Sequence, residues 1–172
     1  MDQSVPNLPT VKNRGVYLAL KAKDRAVLDI GCTGQISAEI RKQAKAYYGI
    51  DKAAGDGVEA VDLDHRPDLM PKHDDVDLVI ASEILEHLSN PGYFLLALKD
   101  KYPGRECYIT VPNAGGFTMK GDCEQVNAEH VCYYSYQTLR SLLGRYDIAI
   151  DNARWYNGDP YKAEGIIFKV TL

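Results

Sequence analysis

The fold is decided by the stretch Val27-Leu28-Asp29-Ile30-Gly31-Cys32-Thr33-Gly34. Its apolar run, Ala26 to Ile30, stops at a glycine, which is typical of a buried strand followed by a tight turn. Residues 35–46 then carry apolar side chains at helical spacing. Glycine lets the backbone turn sharply and approach a ligand closely, and a helix begins with free N–H groups. The stretch therefore predicts a strand, a turn and a helix that together bind part of a nucleotide-like ligand.

The spacing of the glycines argues against a dinucleotide ligand. A dinucleotide fingerprint has the pattern G-x-G-x-x-G, whereas here the glycines are at 31 and 34, and positions 33 and 37 are threonine and serine. A pyrophosphate requires the backbone of the turn to approach closely, and the side chains at positions 33 and 37 hinder that approach. Asp29, which precedes the turn, is unfavourable beside phosphates and suits a cationic partner such as an amino group.

Strands and helices alternate along the rest of the chain. Strands are predicted over residues 26–30, 46–50, 58–63, 76–81, 107–111, 146–150 and 165–172, and helices over 11–23, 35–46, 91–99 and 135–143. This alternation predicts a Rossmann-like, doubly wound α/β fold with a mostly parallel, seven-stranded sheet and an antiparallel C-terminal strand. We expect a single domain over residues 1–172, with an N-terminal arm and helix (1–23) and an irregular substrate loop (112–134) after a central strand.

Composition restricts the classes of function. The net charge is −4, whereas sequence-independent binding to nucleic acid needs many basic side chains. The four cysteines include no C-x-x-C pair, which is typical of reduced thiols in a cytosolic protein. The N-terminus has no secretory pattern, and no apolar run is long enough to span a bilayer. We therefore expect a cytoplasmic protein without a membrane span and with nucleic acid as an unfavoured partner.

At these motifs the chain resembles the class I S-adenosylmethionine-dependent methyltransferases. The decisive stretch is similar to the first motif of that family, and Thr33 stands where a glycine is common. Further segments resemble later motifs of the family in the same order; they are Tyr48–Asp51, Val61–Asp64, Asp77–Leu88, Tyr108–Asn113 and Tyr136–Leu139. The segment Glu83-Ile84-Leu85-Glu86-His87 has the E-x-x-E-H pattern of the ubiquinone-pathway O-methyltransferases, within a type 11-like branch.

The resemblance implies a binding site for S-adenosylmethionine. Asp51 would accept both ribose hydroxyls, Asp62 would accept the adenine amino proton, and Leu63 would pack on the ring. Asp29 and Gly31 would lie near the methionine end. The full set of implied cofactor contacts is Asp29, Gly31, Cys32, Gly34, Asp51, Lys52, Asp62, Leu63 and Ser82. The alternative is that the acids after the strands merely form turns.

The E-x-x-E-H segment is the candidate substrate side. Glu83, Glu86 and His87 share a face if the segment is helical, and His130 in the long loop can approach them. Three interpretations remain open. In the first, the segment only tops a helix. In the second, His87 or His130 is catalytic together with Glu83, and the histidine acts as general base. In the third, a divalent metal such as Mg²⁺ is held by Glu83, Glu86, His87 and His130. The last set resembles the ubiquinone-pathway enzymes and the small-RNA 3′-terminal 2′-O-methyltransferases, from which the context of His130 departs.

The resemblance implies methyl transfer to an oxygen or nitrogen atom of a small-molecule, sugar or lipid-precursor acceptor. The alternatives are a methyltransferase that acts on a nucleic-acid end or a protein, and a catalytically inert cofactor-binding module. Tyrosines are candidates for stacking on the acceptor or for the edge of the core; they are Tyr17, Tyr133, Tyr134, Tyr156 and Tyr161. The sequence leaves the oligomeric state open.

Overall fold

The computed structural model describes residues 6–114, 128–158 and 163–172, and within them eight strands form one sheet. The strands are β1 (Thr10–Val11), β2 (Ala26–Ile30), β3 (Ala46–Asp51), β4 (Val58–Ala60), β5 (Leu78–Ser82), β6 (Glu106–Pro112), β7 (Ala149–Tyr156) and β8 (Gly165–Thr171). Their order across the sheet is β1-β7-β8-β6-β5-β2-β3-β4. All neighbours are parallel except β8, which runs antiparallel to both β6 and β7.

Four helices of the described residues connect these strands, and local side chains begin three of them. They are α1 (Arg14–Ala22), α2 (Gln35–Gln43), α3 (Pro91–Lys101) and α4 (Tyr136–Arg145). Asn13 and Asn90 cap α1 and α3 by accepting hydrogen bonds from backbone N–H groups, and Ser135 forms a capping box at α4. Short 3-10 turns lie at Pro67–Leu69 and Leu85–His87.

Helices cover both faces of the sheet. Successive side chains of a strand point to opposite faces, and in β2 Val27 packs in a cluster with Leu18 and Ile40 of α1 and α2. Its neighbour Leu28 belongs to the other cluster, with Phe94 of α3 and Leu143 of α4. Every residue of β2 is buried. The doubly wound arrangement thus explains why the central strand is apolar throughout except for Asp29.

The predicted fold class is confirmed, with corrections to its details. The sheet has an eighth strand, because Val11 pairs with β7 through β1 instead of starting the first helix, which begins at Arg14 after the Asn13 cap. The strand predicted over 146–150 was placed too early. Asp147 has a positive φ of 51°, and Ala149 is the first residue of β7.

Some predictions fall outside the described residues. The predicted substrate loop is described only at its two ends, since residues 115–127 are not among them, and Tyr161 also lies outside. Among the described helices, none is both long and apolar enough to cross a membrane.

Candidate active site

The carboxyl ends of the parallel strands gather the predicted site residues at one edge of the sheet. Gly31 follows β2, Asp51 ends β3, Ser82 ends β5 and Asn113 follows β6. Because β2 pairs with both β3 and β5, these ends lie side by side. Open α/β sheets bind ligands at this edge. The candidate site therefore lies where the fold favours one.

The turn after β2 depends on its two glycines. Gly31 and Gly34 have φ angles of +75° and +87°, a region that residues with a side chain rarely adopt. The N–H of Gly31 donates to the carbonyl of Ile50 at 2.9 Å, so the turn is tied to the end of β3. Gly34 precedes α2 and offers no side chain to cap it. The first N–H groups of α2 therefore remain available to a ligand.

Asp29 is a buried residue of β2, two positions before Gly31 of this turn. Its side chain is 1% exposed, and Oδ2 accepts a hydrogen bond from the Tyr47 hydroxyl at 2.8 Å. Burial raises the pKa of Asp29 to about 6, although hydrogen bonds from Ser37 and Tyr47 lower it. Asp29 is therefore a buried carboxyl group that is held in place by Tyr47 of β3.

The two acids predicted to bind the nucleoside differ in their surroundings. Asp51 is half-buried at the end of β3, and its Oδ1 accepts a hydrogen bond from the N–H of the exposed Lys52 at 2.6 Å. Asp62 is exposed and accepts hydrogen bonds from the N–H groups of Asp64 and His65. Asp62 therefore forms a turn here, as the alternative interpretation expects.

Two adjoining cavities open at this edge. The smaller, about 280 Å³, is lined by residues of the glycine turn and of the ends of β5 and α2, among them Gly31, Thr33, Ser37 and Ser82. The larger, about 700 Å³, extends from α1 to His130 and Tyr133. Four residues line both cavities; they are Arg14, Gln35, Ile36 and Glu83. Two ligands that occupied these two cavities would therefore be adjacent to each other.

Glu83 lies at the junction of the cavities in a network of polar side chains. Its Oε1 is 2.7 Å from Nη1 of Arg14 and accepts hydrogen bonds from the hydroxyls of Thr110 at 2.9 Å and Tyr156 at 3.0 Å. Ser82 and Thr110 share a further hydrogen bond of 2.9 Å. α1, β5, β6 and β7 each contribute to this network, so Glu83 is firmly positioned.

Glu86 has the opposite character. Its side chain lines the larger cavity and is 1% exposed, yet neither carboxylate oxygen has a hydrogen-bond partner among the described residues. Burial raises the pKa of Glu86 to about 8, and nearby Glu83 adds to the increase. The backbone carbonyl of Glu86 accepts hydrogen bonds from the N–H groups of Val131 and Cys132. This contact holds the segment that contains His130 over the cavity.

The two candidate histidines lie next to each other. The ring centroids of His87 and His130 are 4.7 Å apart, and Nδ1 of His87 donates to the carbonyl of Glu129 at 3.2 Å. Burial lowers the pKa of His130, and His87 adds to the decrease. A neutral imidazole at His130 is therefore favoured at neutral pH.

Three of the four predicted metal ligands are close together. One ligand atom each from Glu86, His87 and His130 lies within 4.8 Å of the others. Glu83 is outside this group. The predicted shared helical face is wrong, because Glu83 has a φ of 55° and only Leu85–His87 forms a 3-10 turn. The kink turns Glu83 towards Arg14 instead.

The sequence matches a known family over most of its length. A family profile described as a methyltransferase domain covers residues 10–152, which include the glycine turn, the E-x-x-E-H segment and His130. The chain belongs to this methyltransferase family. The predicted enzyme class is thereby confirmed, whereas the resemblance to the ubiquinone-pathway branch stays a prediction.

Solved structures share the fold of this methyltransferase at low identity. An S-adenosylmethionine-dependent methyltransferase from Archaeoglobus fulgidus has a TM-score of 0.69 and 16% identity, over 91% of this chain and 90% of the other. Magnesium protoporphyrin IX methyltransferase from Synechocystis, with bound S-adenosylhomocysteine, has a TM-score of 0.66 and 16% identity, over 91% and 79%. A search of curated proteins finds no match.

A third structure contains both kinds of ligand. It is 1,6-didemethyltoxoflavin-N1-methyltransferase from Burkholderia thailandensis, with bound 1,6-didemethyltoxoflavin and S-adenosylhomocysteine. Its TM-score is 0.64 at 15% identity, over 91% of this chain and 75% of the other. At such identities the likeness establishes the fold.

Sequence reasoning missed Arg14 as a site residue of this methyltransferase. Arg14 lines both cavities and pairs with Glu83, but in the sequence it is an ordinary basic residue at the start of a predicted helix. Tyr156 was a candidate for stacking on the acceptor or for the edge of the core; it is buried, and its hydroxyl donates to Glu83. The Asn13 cap that fixes the first turn of α1 is the one local signal that could have indicated where Arg14 lies.

Proposed function

We propose that this methyltransferase transfers a methyl group from S-adenosylmethionine to an oxygen or nitrogen atom of a small molecule in the larger cavity. The observation that carries the proposal is the junction at Arg14 and Glu83, where the cavity beside the glycine turn meets the larger one. Methyl transfer requires donor and acceptor in line at near-attack distance. Two adjoining cavities with a positioned network between them meet that requirement.

The proposed cofactor site follows the predicted residues. Asp29, Gly31, Cys32 and Gly34 form the turn beside the smaller cavity, and Ser82 lines it from β5. Asp51 and Lys52 follow along the edge of β3, and Leu63 is buried beyond them. S-adenosylhomocysteine in the Synechocystis and Burkholderia enzymes supports the same cofactor here. Asp62 is exposed, and its Oδ2, which contacts Nδ1 of His65 at 3.0 Å, can accept a further hydrogen bond from the adenine amino group.

Beyond aligning the methyl donor with the acceptor, the side chains of the protein need to supply little chemistry. The bound cofactor provides an activated methyl group on a sulfonium. Arg14, Glu83 and Tyr156 fix the wall between the cavities, and the segment held by Glu86 covers the acceptor side. His130, whose pKa is lowered by burial, is a proposed general base for an acceptor that must lose a proton, with His87 as its neighbour.

The predicted Mg²⁺ site does not fit the observed ligands. Mg²⁺ favours oxygen ligands in octahedral geometry, whereas the residues near each other are one carboxylate, Glu86, and two imidazoles, His87 and His130. Glu83 is engaged with Arg14. Such a nitrogen-rich set suits a transition metal better. The proposed methyl transfer therefore does not involve a Mg²⁺ ion held by these residues.

Calorimetry with S-adenosylhomocysteine tests the cofactor site. Asp51→Ala should weaken binding by about 1–3 kcal/mol, because a charged acceptor of ribose hydroxyls is removed. Asp56→Ala is the matched control, since the Asp56 side chain is 100% exposed in the loop that follows. Equal affinities of the two variants would refute the role of Asp51. No binding to the unaltered protein would refute the function itself.

Mass spectrometry tests the transfer. The protein is incubated with S-adenosylmethionine and a panel of amines, phenols, sugars, peptides and oligonucleotides, and methylated products are sought. A small-molecule product supports the proposal. Products only with peptides or oligonucleotides would support the alternative acceptors, and tight cofactor binding without any product would favour the inert module.

A further inference from the structure

We infer that the acceptor is an amine that enters the larger cavity as a cation and donates N–H hydrogen bonds to Glu86. The inference rests on the proposed function, because it specifies the acceptor of the same site. It is carried by a buried carboxylate without partners, by the balance of charges around the cavity and by the aromatic side chains in its wall.

The first observation is the carboxylate of Glu86. It is 1% exposed, lines the cavity, and has no hydrogen-bond donor on either oxygen among the described residues. Buried polar groups are nearly always hydrogen-bonded, because an unpaired one costs free energy. The backbone carbonyl of the same residue accepts hydrogen bonds from the N–H groups of Val131 and Cys132. The side chain thus lacks donors that a ligand in the cavity can supply.

The second observation is the excess of negative charge. Within the described part of the chain, four glutamates and one arginine line the larger cavity; they are Glu39, Glu83, Glu86, Glu164 and Arg14. Arg14 is paired with Glu83, and Glu39 with Lys42 at 2.7 Å. Glu86 and Glu164 have no ion pair with any described residue. Glu86, whose raised pKa of about 8 leaves it largely protonated at pH 7 in the empty cavity, ionises more readily when a cation lies beside it. A cation therefore complements this cavity, whereas a carboxylate or phosphate acceptor meets repulsion.

The third observation is the aromatic wall. Tyr133 and Tyr134 line the same cavity, and tyrosine rings attract cations through their faces. The ring of Tyr156, which also lines it, already has a cation over it, since Cζ of Arg14 is 5.0 Å from its centroid. His130 also lines it, beside Tyr133, whose ring centroid is 6.3 Å from that of the imidazole. Carboxylates and aromatic rings together make a site suited to an organic ammonium group.

The charge balance also suits methyl transfer to nitrogen. The ammonium form of the acceptor first releases one proton to solvent, which frees the nitrogen lone pair. That pair forms the new N–C bond, the C–S bond breaks, and its electron pair stays on sulfur. The positive charge thereby passes from sulfur to nitrogen. A fixed carboxylate beside the nitrogen stabilises the charge that develops there.

Three probes with one carbon skeleton test the inference. Binding of 2-phenylethylamine, 2-phenylethanol and phenylacetate is measured by NMR titration at pH 9, above the pKa of about 8 that burial gives Glu86, with and without S-adenosylhomocysteine. The amine should bind about tenfold more tightly than the alcohol, the difference between a charged and a neutral hydrogen bond. Phenylacetate should bind most weakly. An alcohol or an acid that binds as well as the amine overturns the inference.

Variants of the protein locate the effect. Glu86→Gln should remove most of the preference for the amine, and Glu164→Gln at the mouth a smaller part. Asp100→Asn, which removes an equal charge from the exposed face of α3, should leave the preference unchanged. Circular dichroism checks that each variant folds. If Glu86→Gln does not fold, the order of the three probes on the unaltered protein and the effect of Glu164→Gln decide.

Three further outcomes test the inference separately from the proposed function on which it rests. MnCl₂ that binds only when Glu86 is present, and that prevents amine binding, assigns the carboxylate to a metal and overturns the inference. Binding of S-adenosylhomocysteine without a preference for the amine also overturns it while the proposed function stands. A preference for the amine in a protein that does not bind S-adenosylhomocysteine supports the cation site and refutes the proposed function.

Discussion

Asp29 is the residue whose ionisation should most clearly affect stability through the cofactor turn. Its pKa is raised from 3.8 to about 6, mainly by burial. Between these values the native protein holds a proton that the unfolded chain has lost, so the free energy of unfolding falls as the pH rises through this window. Two pKa units correspond to about 3 kcal/mol.

Asp29→Asn should remove this dependence. We expect the stability of the variant relative to the unaltered protein to increase by up to about 3 kcal/mol between pH 4 and pH 7, because the variant has no carboxyl group to ionise. Urea denaturation at several pH values measures the difference. Glu86, whose pKa is raised as well, is present in both proteins and cancels. A difference that does not vary with pH would contradict the prediction.

The ion pair of Arg14 and Glu83 should be strongly coupled. Their side chains are 19% and 26% exposed, and each also contacts the Tyr156 hydroxyl. In a double-mutant cycle of Arg14→Gln and Glu83→Gln, we expect a coupling energy of about 1–3 kcal/mol by urea denaturation. The control is the exposed pair Glu39 and Lys42, for which about 0.5 kcal/mol or less is expected. Equal coupling in both cycles would show that the Arg14 pair is an ordinary surface contact.

Among the elements, the turn after β2 combines backbone strain with a ligand site. Gly31→Ala should cost about 1–2 kcal/mol of stability, because alanine is strained at positive φ. It should also weaken binding of S-adenosylhomocysteine. Gly104 has a similar φ of 72°, no other side chain near it and no place at the site, so Gly104→Ala is the matched control. Its loss of stability should be similar or smaller, because a Cβ at Gly31 would also lie 3.3 Å from Cδ1 of Ile84. Its binding of S-adenosylhomocysteine should be unchanged, and urea denaturation and calorimetry measure the two effects.

The regular elements could be predicted because their signals are local. β2 has the predicted bounds, since an apolar run that stops at glycine needs no tertiary information. β1 could not be predicted, because two residues carry no pattern and its only signal is pairing with the distant β7. The shared face of Glu83, Glu86 and His87 required a helix after Ser82. That helix does not form, because Glu83 adopts a positive φ and pairs with Arg14, which is distant in sequence.

The same distinction applies to the site. The order of the motifs was enough to predict that Gly31, Asp51 and Ser82 lie at one edge of the sheet. The reason is that the carboxyl ends of parallel strands are adjacent in any doubly wound sheet. The partners of each side chain were not available from spacing. Asp62 is turned to its own loop, and Glu86 is left without a donor, through packing that only the folded chain defines.

For the whole molecule, cofactor binding should appear as thermal stabilisation. A ligand that binds only the native state at about 100 times its Kd adds about 2.7 kcal/mol. For a chain of this length that corresponds to an increase in Tm of about 5–10 °C. Differential scanning fluorimetry should show this increase with S-adenosylhomocysteine and none with NAD. Stabilisation by NAD of equal size would contradict the proposed cofactor.

The reversed direction of β8 has a practical consequence for surface-based assays. Thr171 pairs with Glu106 at the start of β6, so the end of β8 lies at the margin of the sheet remote from the cavities. Leu172 is anchored there by backbone hydrogen bonds with Gly104 and Arg105. A biotin linker joined after Leu172 would immobilise the protein with its ligand entrance facing the flow of a biosensor.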